Sequence, residues 1–116
     1  MKRVFDGEHC KISALELDFV TNREIKKVNT TFLKHEFETD IITFLYSGKK
    51  EGIEGECIIS LDSVRKNAKL YETGYKNELK RVIVHGCLHL TGYNDKTESQ
   101  KKRIREKENL YIGYLQ

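Results

Sequence analysis

Residues 75–91 carry the broadest apolar face of the chain, and the rest of the fold has to accommodate it. Apolar side chains recur there at helical spacing, at Leu79, Val82, Ile83, Cys87 and Leu90. A stripe this wide buries more than one flank of a helix, so we predict a central helix over residues 75–91. Gly92 follows at once, and glycine suits the left-handed conformation that ends many helices.

Three other segments have the pattern of β-strands. Residues 12–20 alternate apolar and acidic side chains in their second half, which predicts a half-buried strand. Residues 41–47 are rich in β-branched and aromatic side chains, and residues 55–61 predict a third strand. The loop at 48–52 makes the last two strands a hairpin-like pair, although a loop of this length does not fix their register.

Two further segments have patterns that predict helices, one between the first two strands and one after the central helix. Thr21 followed by Glu24 is a capping box, which predicts a helix over about 22–34. Residues 97–111 predict a charged helix with few apolar anchors. Those anchors are Ile104, Leu110 and Tyr111.

The segment between the third strand and the central helix predicts one more helix. Its apolar side chains are Val64, Ala68 and Tyr71, at i, i+4 and i+7, and either Ser60 or Asp62 can cap it. The resulting element order is β, α, β, β, α, α, α. This order indicates an α+β fold, with a small mixed β-sheet packed with helices around the central helix.

The length and composition limit the class of protein. A chain of 116 residues is enough for one domain, and we expect a single domain over residues 1–116. No stretch approaches the roughly 18 apolar residues of a membrane span, and no apolar core of a signal peptide is visible. Three widely spaced cysteines make a poor disulfide framework, so we expect a protein of the reducing cytoplasm. A net charge of +3 permits a nucleic-acid partner without requiring one.

Two of the four histidines lie on the central helix. His85 and His89 are four residues apart, so their side chains stack on one face and can reach one metal ion. Asp95 lies six residues beyond His89, past the glycine stop, where a returning loop can bring its carboxylate to the same ion. Two histidines, one carboxylate and a position for water form a known catalytic zinc set. We therefore predict a site for one Zn²⁺ per chain at these three residues.

A histidine pair at this spacing also arises by chance, and either ring can be an ordinary core residue. Unpaired imidazoles on an apolar helix are costly, which favours the metal site. Gly86 in the middle of a helix costs about 1 kcal/mol relative to alanine, so it indicates the close approach of another group. Gly86 also stands where a His-Glu-x-x-His peptidase has its general base, which speaks against a peptidase.

The segment around the histidines resembles the signature of the YbeY family of bacterial rRNA maturation factors, which runs H-G-x-L-H-L-x-G-Y-D-H. Seven of its nine specified positions are identical here, namely His85, Gly86, Leu88, His89, Leu90, Gly92 and Tyr93. Two further blocks match in the family order. Residues 39–44 match T-D/N-V-L-S-F, and residues 55–60 match G-D/E-I-x-I-S. The resemblance covers about residues 15–112.

This resemblance implies a zinc-dependent endoribonuclease specific for single strands. It implies a role in 3′-end maturation of the small-subunit (16S) rRNA and in ribosome quality control. The implied partners are rRNA and the small ribosomal subunit, with ribosomal proteins or a ribosome-associated GTPase as further candidates. Basic side chains would hold the RNA strand through its phosphates. The residues do not identify the general base.

The chain departs from the family pattern at two positions. Asp95 stands where the family has its third metal-binding histidine, so a charged oxygen donor replaces a neutral nitrogen. Leu33 stands where the family has an arginine of the active cleft. The neighbouring Lys34 and His35 are candidate RNA contacts, but neither is a bidentate phosphate clamp. Glu78, two helical turns before the first histidine of the pair, is a candidate for supporting the metal ligands.

Three other functions stay open at this point. The first is a non-catalytic, metal-stabilised ribosome-biogenesis or RNA-binding factor, which the departure at Leu33 favours. The second is a metal-dependent hydrolase of small molecules or peptides, and the third is an interaction module without a metal. A set of basic side chains could line an RNA path or form an ordinary solvated surface; it comprises Lys49, Lys50, Lys101, Lys102, Arg103 and Arg105.

Overall fold

The computed structural model describes residues 2–33, 40–47 and 52–114. Within these ranges the chain forms five helices and three strands. They are α1 (Lys2–Gly7), β1 (Ile12–Val20), α2 (Asn22–Leu33), β2 (Ile41–Ser47), β3 (Ile53–Ser60), α3 (Leu61–Leu70), α4 (Tyr75–Leu90) and α5 (Glu98–Tyr114). The predicted α+β class is confirmed, and β1 and β2 have the predicted bounds. No helix in the described ranges has the length and apolar character that a membrane crossing needs.

The sheet has β3 at its centre, in the order β1-β3-β2. β1 runs parallel to β3 and β2 runs antiparallel to it, so the sheet is mixed, as predicted. Cys57 at the middle of β3 pairs with Leu17 on one side and Thr43 on the other. β3 starts at Ile53, two residues before the predicted start, because this residue still pairs with Ile12 of β1.

Helix α4 packs across one face of the sheet and forms the centre of the main hydrophobic core, as its wide apolar stripe predicts. Its buried apolar side chains are Val82, Val84, Cys87, Leu88 and Leu90. The other buried members of this core come from α1, β3, α3 and α5; they are Val4, Phe5, Ile53, Cys57, Ile59, Val64, Ile104 and Tyr111. A smaller cluster on the opposite face joins Ile25 of α2 to Ile42 and Ile58 of the sheet. The sheet is therefore covered on both faces.

The contact between α4 and the sheet is closest at Gly86. A β-carbon built at this position would lie 2.6 Å from Cδ1 of Ile41 and 3.0 Å from Sγ of Cys57. Gly55 on β3 is similarly close, since its β-carbon would lie 2.8 Å from a methyl carbon of Leu90. The group that approaches Gly86 is thus the sheet. Helix–sheet packing explains this glycine, which the sequence interpretation had counted in favour of a metal.

The predicted helix caps are present. The amide of Thr21 donates to Oε1 of Glu24 at 3.3 Å, and the amide of Glu24 donates to Oγ1 of Thr21 at 3.2 Å, which completes the capping box of α2. For α3 the sequence left two candidates. Ser60 is the cap, because its hydroxyl oxygen accepts from the amide of Ser63 at 3.2 Å.

Helix α1 was not predicted, because the sequence patterns indicated no element before residue 12. Its side chains Val4 and Phe5 are fully buried in the main core. A six-residue helix has too few internal hydrogen bonds to be stable alone. Its stability therefore comes from these tertiary contacts, which local sequence patterns do not reveal.

Two residues predicted as apolar anchors lie on the surface instead. Tyr71 is the C-cap of α3 and is 64% exposed, so the buried stripe of that helix ends one turn earlier, at Ala68. Leu110 on α5 is 48% exposed, while its neighbour Tyr111 is buried. Adjacent helical residues point about 100° apart, so the core takes only one of the two.

All three cysteines are free, in agreement with the predicted lack of a disulfide framework. Cys57 and Cys87 are buried in the core between the sheet and α4. Burial raises the pKa of each thiol to about 12. Both therefore stay protonated and behave as small apolar side chains.

Replacing Gly86 with alanine is expected to lower the free energy of unfolding by about 1–3 kcal/mol, because the added methyl group overlaps Ile41 and Cys57. Urea unfolding followed by circular dichroism measures this change. Gly113→Ala is the matched control, since nothing lies within 4 Å of its added methyl group. The control should be neutral or stabilising, and a Gly86→Ala midpoint at or above that of the wild type would contradict the packing explanation.

Candidate metal centre

Three side chains at the C-terminal end of α4 converge on one point. The Nε2 atoms of His85 and His89 are 2.9 Å apart, and Oδ2 of Asp95 lies 3.4 Å from the first and 3.6 Å from the second. Ligand atoms at about 2.0–2.1 Å from a tetrahedral zinc ion lie about 3.3 Å from one another, so these three atoms outline one face of such a site. The donor set and its spacing fit a metal ion. The Asp95 side chain is 44% exposed, so the centre opens to solvent on one side.

The turn after α4 brings the third of these side chains back to the other two. Gly92 has a φ of 113°, which glycine adopts without strain. Its amide donates to the carbonyl of His89 at 3.1 Å, and the amide of Tyr93 donates to the carbonyl of Leu88 at 3.1 Å. These two bonds form a Schellman motif, which ends the helix and reverses the chain. Asp95 follows two residues later and faces the histidines.

A buried carboxylate from α5 orients the first histidine. Oε2 of Glu108 lies 2.6 Å from Nδ1 of His85. Because a carboxylate can only accept, Nδ1 carries the proton, and in the neutral ring this leaves the lone pair of Nε2 available to a metal. The other carboxylate oxygen of Glu108 accepts from Nη1 of Arg81 at 3.0 Å. Glu108 is only 6% exposed, and these two partners compensate its burial.

Sequence reasoning missed Glu108, although a signal for it was present. Ile104, Glu108 and Tyr111 follow one another at i, i+4 and i+7, and all three are buried. A carboxylate therefore stands in the buried stripe of a helix that is otherwise charged on its surface. Such a position calls for a specific partner.

Sequence spacing instead proposed Glu78 as the carboxylate that supports the ligands. Glu78 is buried, at 6% exposure, and it lines the same cavity as His85. Its Oε2 accepts a hydrogen bond from Oγ1 of Thr73 at 3.4 Å. The hydrogen bond that orients a ligand histidine is made by Glu108 instead.

The two histidines have pKa values that are shifted in opposite directions. Burial acts to lower the pKa of His85, but the hydrogen bond and charge of Glu108, with the charges of Asp95 and Asp40, raise it overall. Burial and the adjacent His85 together lower the pKa of His89. His89 is therefore held in the neutral form that a metal ligand requires.

His85 and Asp95 open into a cavity of about 260 Å³ between α4 and α5. Three cationic side chains line it, namely Arg81, Lys101 and Arg105. Lys101 and Arg105 belong to the basic set that sequence analysis left open between an RNA path and a solvated surface. Four carboxylates line the same cavity, namely Asp40, Glu78, Asp95 and Glu108, so its basic side chains stand among acidic ones.

Several candidate RNA contacts cannot be compared with this cavity. Lys34, His35, Lys49 and Lys50 lie outside the described residues. Leu33, which stands where the resemblance leads one to expect arginine, is the last residue of α2.

Glu8, in the turn after α1, supports the loop that carries Asp95. One carboxylate oxygen accepts from the hydroxyl of Tyr93 at 2.5 Å, and the other accepts from the hydroxyl of Tyr111. Nζ of Lys107 lies 3.2 Å from the same carboxylate. Burial acts to raise the pKa of Glu8, but these hydrogen bonds and the lysine charge lower it overall. Since Tyr93 stands two residues before Asp95, Glu8 helps to fix the position of that carboxylate.

Comparison with protein families and curated proteins gives consistent matches. The family model described as "Endoribonuclease YbeY" matches residues 1–116. A protein of Chloroherpeton thalassium named endoribonuclease YbeY is 42% identical over 113 residues, which are 97% of this chain and 79% of that protein. Proteins of the same name from Cytophaga hutchinsonii and Parabacteroides distasonis are 46% and 45% identical. Their alignments cover 89% and 99% of this chain, and 73% and 80% of those proteins.

A solved structure also resembles this fold. The solution structure of the protein TM1509 from Thermotoga maritima superposes with a TM-score of 0.68 at 28% sequence identity. The match covers 96% of this chain and 73% of that one.

Glu108→Gln is expected to weaken the binding of Zn²⁺, used as a probe ion, by about 10–100-fold, because the amide no longer fixes and polarises His85 as the carboxylate does. Competition with a chromophoric chelator measures this affinity. Glu106→Gln is the matched control, since Glu106 is exposed on the same helix, and its affinity should equal that of the wild type. Unchanged zinc affinity in Glu108→Gln would contradict the role assigned to this carboxylate.

Glu8→Gln is expected to lower the free energy of unfolding at pH 7 by about 1–3 kcal/mol, since hydrogen bonds to a charged group are lost. The pKa of Glu8 is lowered in the folded state. Its stabilisation is therefore complete above the unfolded pKa, about 4.3, and is lost as the pH falls through the folded value. Urea unfolding between pH 3 and pH 7 should show a flatter dependence in Glu8→Gln than in the wild type. Glu54→Gln, at an exposed position of β3, should keep the wild-type dependence.

Proposed function

The chain belongs to the endoribonuclease YbeY family, and we propose that it is a zinc-dependent enzyme that cuts single-stranded RNA during 3′-end maturation of the small-subunit (16S) rRNA. The observation that carries this proposal is the triangle of His85 Nε2, His89 Nε2 and Asp95 Oδ2, with sides of 2.9 to 3.6 Å. The buried Glu108 behind it adds support, because a ligand histidine of a metal site typically donates its second N–H to such a group.

His85, His89 and Asp95 would hold the ion, and the open side of the centre would admit water or an RNA oxygen. A zinc ion bound there supplies Lewis acidity toward a phosphodiester oxygen and makes a water molecule more acidic. Asp95 is a natural zinc ligand even though the family signature has histidine at this place. The charged oxygen donor is expected to change which metal the site prefers, but the site should still bind a metal.

The cavity beside the metal ligands would hold the scissile phosphate. Arg81 is fixed there by two acceptors, since its guanidinium donates to Glu108 at 3.0 Å and to Oδ1 of Asn109 at 2.9 Å. Lys101 and Arg105 line the same cavity from α5 and can contact phosphate oxygens. Because Arg81 already pairs with Glu108, Lys101 and Arg105 would supply most of the positive charge that the family arginine supplies at the position of Leu33.

This role implies partners and a location. We propose that the substrate is rRNA of the small ribosomal subunit, and that ribosomal proteins or a ribosome-associated GTPase bring the enzyme to it. Ribosome quality control is part of the same proposal, as is a cytoplasmic location, which suits three free cysteines. One domain over residues 1–116 would carry the activity.

His89→Ala is expected to reduce zinc content from about one ion per chain to a small fraction, and to abolish cleavage of a single-stranded RNA. The reason is that two ligands bind zinc far more weakly than three. Elemental analysis and a gel-based cleavage assay measure the two effects. His9→Asn is the control, because it removes an exposed histidine and asparagine tolerates the positive φ of 57° at this position.

Two outcomes would contradict the proposal. Undiminished cleavage by His89→Ala would mean that the metal centre is not the active site. A wild-type protein that binds zinc and melts at a lower temperature after chelation, but cuts no RNA, would instead be a metal-stabilised biogenesis factor.

A further inference from the structure

A second cavity lies between α3 and the start of α4, apart from the metal ligands. Its volume is about 500 Å³. Its lining residues are Arg65, Lys66, Ala68, Lys69, Thr73 and Tyr75. Three of these six are cationic and one is aromatic, and none is a carboxylate.

The surface inside this cavity is almost entirely apolar, so a planar ligand would lie against the Tyr75 ring and the aliphatic stems, with its charge directed to the cationic ends of those stems. The guanidinium of Arg65 lies 5.7 Å from the centroid of the Tyr75 ring, and Tyr75 is 37% exposed. Arg65 also pairs with Asp62 at 3.7 Å on the open surface, so part of its charge is already balanced. Lys66 and Lys69 have no ion-pair partner within the part of the chain that the structure describes.

Exposed aromatic rings beside cations are the recurring feature of surfaces that bind single-stranded nucleic acid. The rings stack on bases of any sequence, while the cations contact the phosphates. Two more large apolar side chains lie exposed nearby, Leu70 and Tyr71 at 66% and 64%. An acidic protein segment would use the cations but would leave the aromatic face without a matching group.

We propose that this surface is an anchoring site for the single-stranded RNA substrate, with one base stacked on Tyr75 and phosphates held by Arg65, Lys66 and Lys69. We call these four residues the α3 anchor. The inference rests on the proposed function, since it assigns a second contact to the same RNA. It adds a binding site that is separate from the centre that cuts.

Tyr75 of the α3 anchor and the two histidines of the metal centre lie on the same helix, α4. Tyr75 is the first residue of α4 and His85 comes ten residues later, which is about 15 Å along the helix axis. A small cavity between them is lined in part by Thr73, Glu78 and Arg81. It shares Thr73 with the anchor cavity, and it shares Glu78 and Arg81 with the metal cavity. The three cavities therefore follow one another along α4, and the proposal places one strand of several nucleotides over them.

Tyr75→Ala is expected to weaken binding of a fluorescein-labelled 12-nucleotide single-stranded RNA by about tenfold, because the stacking platform is lost. Tyr75→Phe keeps the ring and should bind within twofold of the wild type. Stopped-flow anisotropy on the zinc-loaded full chain reads binding before cleavage. Wild-type affinity should also rise from a 3-nucleotide to a 12-nucleotide RNA, and Tyr75→Ala should lose most of this gain.

The charges of the anchor are tested by a matched pair of double variants. Lys66→Glu/Lys69→Glu should weaken binding at least tenfold and flatten its dependence on salt, since two phosphate contacts are removed. Arg23→Glu/Lys26→Glu makes the same change of charge at the same spacing on α2, which packs on the opposite face of the sheet from α4. This control should bind within about twofold of the wild type.

The outcomes separate this inference from the proposed function. Wild-type RNA binding that neither Tyr75→Ala nor the lysine reversal weakens would overturn the anchor and leave the proposed function standing. A wild-type chain that binds no RNA would overturn both. Binding of a poly-glutamate peptide that requires Lys66 and Lys69, with RNA binding unaffected by their reversal, would identify an acidic protein partner and overturn the assignment to RNA.

Discussion

The close contact of α4 with the sheet at Gly86 is the constraint on which the rest of the structure depends. Because this residue lacks a side chain, the helix backbone can approach Cys57 at the middle of β3 and Ile41 at the start of β2. That approach fixes the rotation of the helix about its own axis. His85 precedes Gly86 and reaches Glu108 of α5, and His89 lies one turn later beside His85. The direction of both candidate ligands is therefore a consequence of core packing.

The elements that could be predicted from the sequence are those whose pattern is local. The bounds of β1 and β2 agree with the prediction, and α4 differs from it by one residue at one end. α2 agrees over residues 22–33, and its predicted last residue lies outside the described residues. The apolar periodicity and the capping residues of these elements can be recognised within single segments of about ten residues. Helix α1 was missed because a single turn and a half of helix is stabilised by burial of Val4 and Phe5 against distant residues. The misplacement of Leu110 has a similar cause, since its neighbour Tyr111 is the one that contacts Gly7 and Glu8 at the distant end of α1.

The same distinction between local patterns and distant contacts applies to the residues of the candidate site. His85, His89 and Asp95 were predicted together, because helical spacing and a glycine stop are sufficient to bring them close. The structure places their nearest ligand atoms 2.9 to 3.6 Å apart. The family and its endoribonuclease activity were also predicted and are confirmed. Glu108 was missed because its partner is 23 residues away in sequence and on another helix. A buried acidic residue on a charged helix was the available signal, and it was not used.

The dependence of the metal centre on α1 and α5 has a consequence for biosynthesis. Glu8 is made early, but its hydroxyl partners Tyr93 and Tyr111 lie up to 103 residues later, and Glu108 follows His85 only after most of the domain has left the ribosome. A chain interrupted before residue 108 would carry all three ligands without the carboxylate that orients the first of them. Contacts this distant in sequence also slow folding, because long loops must close before they form. Incomplete translation products would thus carry His85, His89 and Asp95 without the contacts from Glu108 and Tyr111 that help to hold them in place.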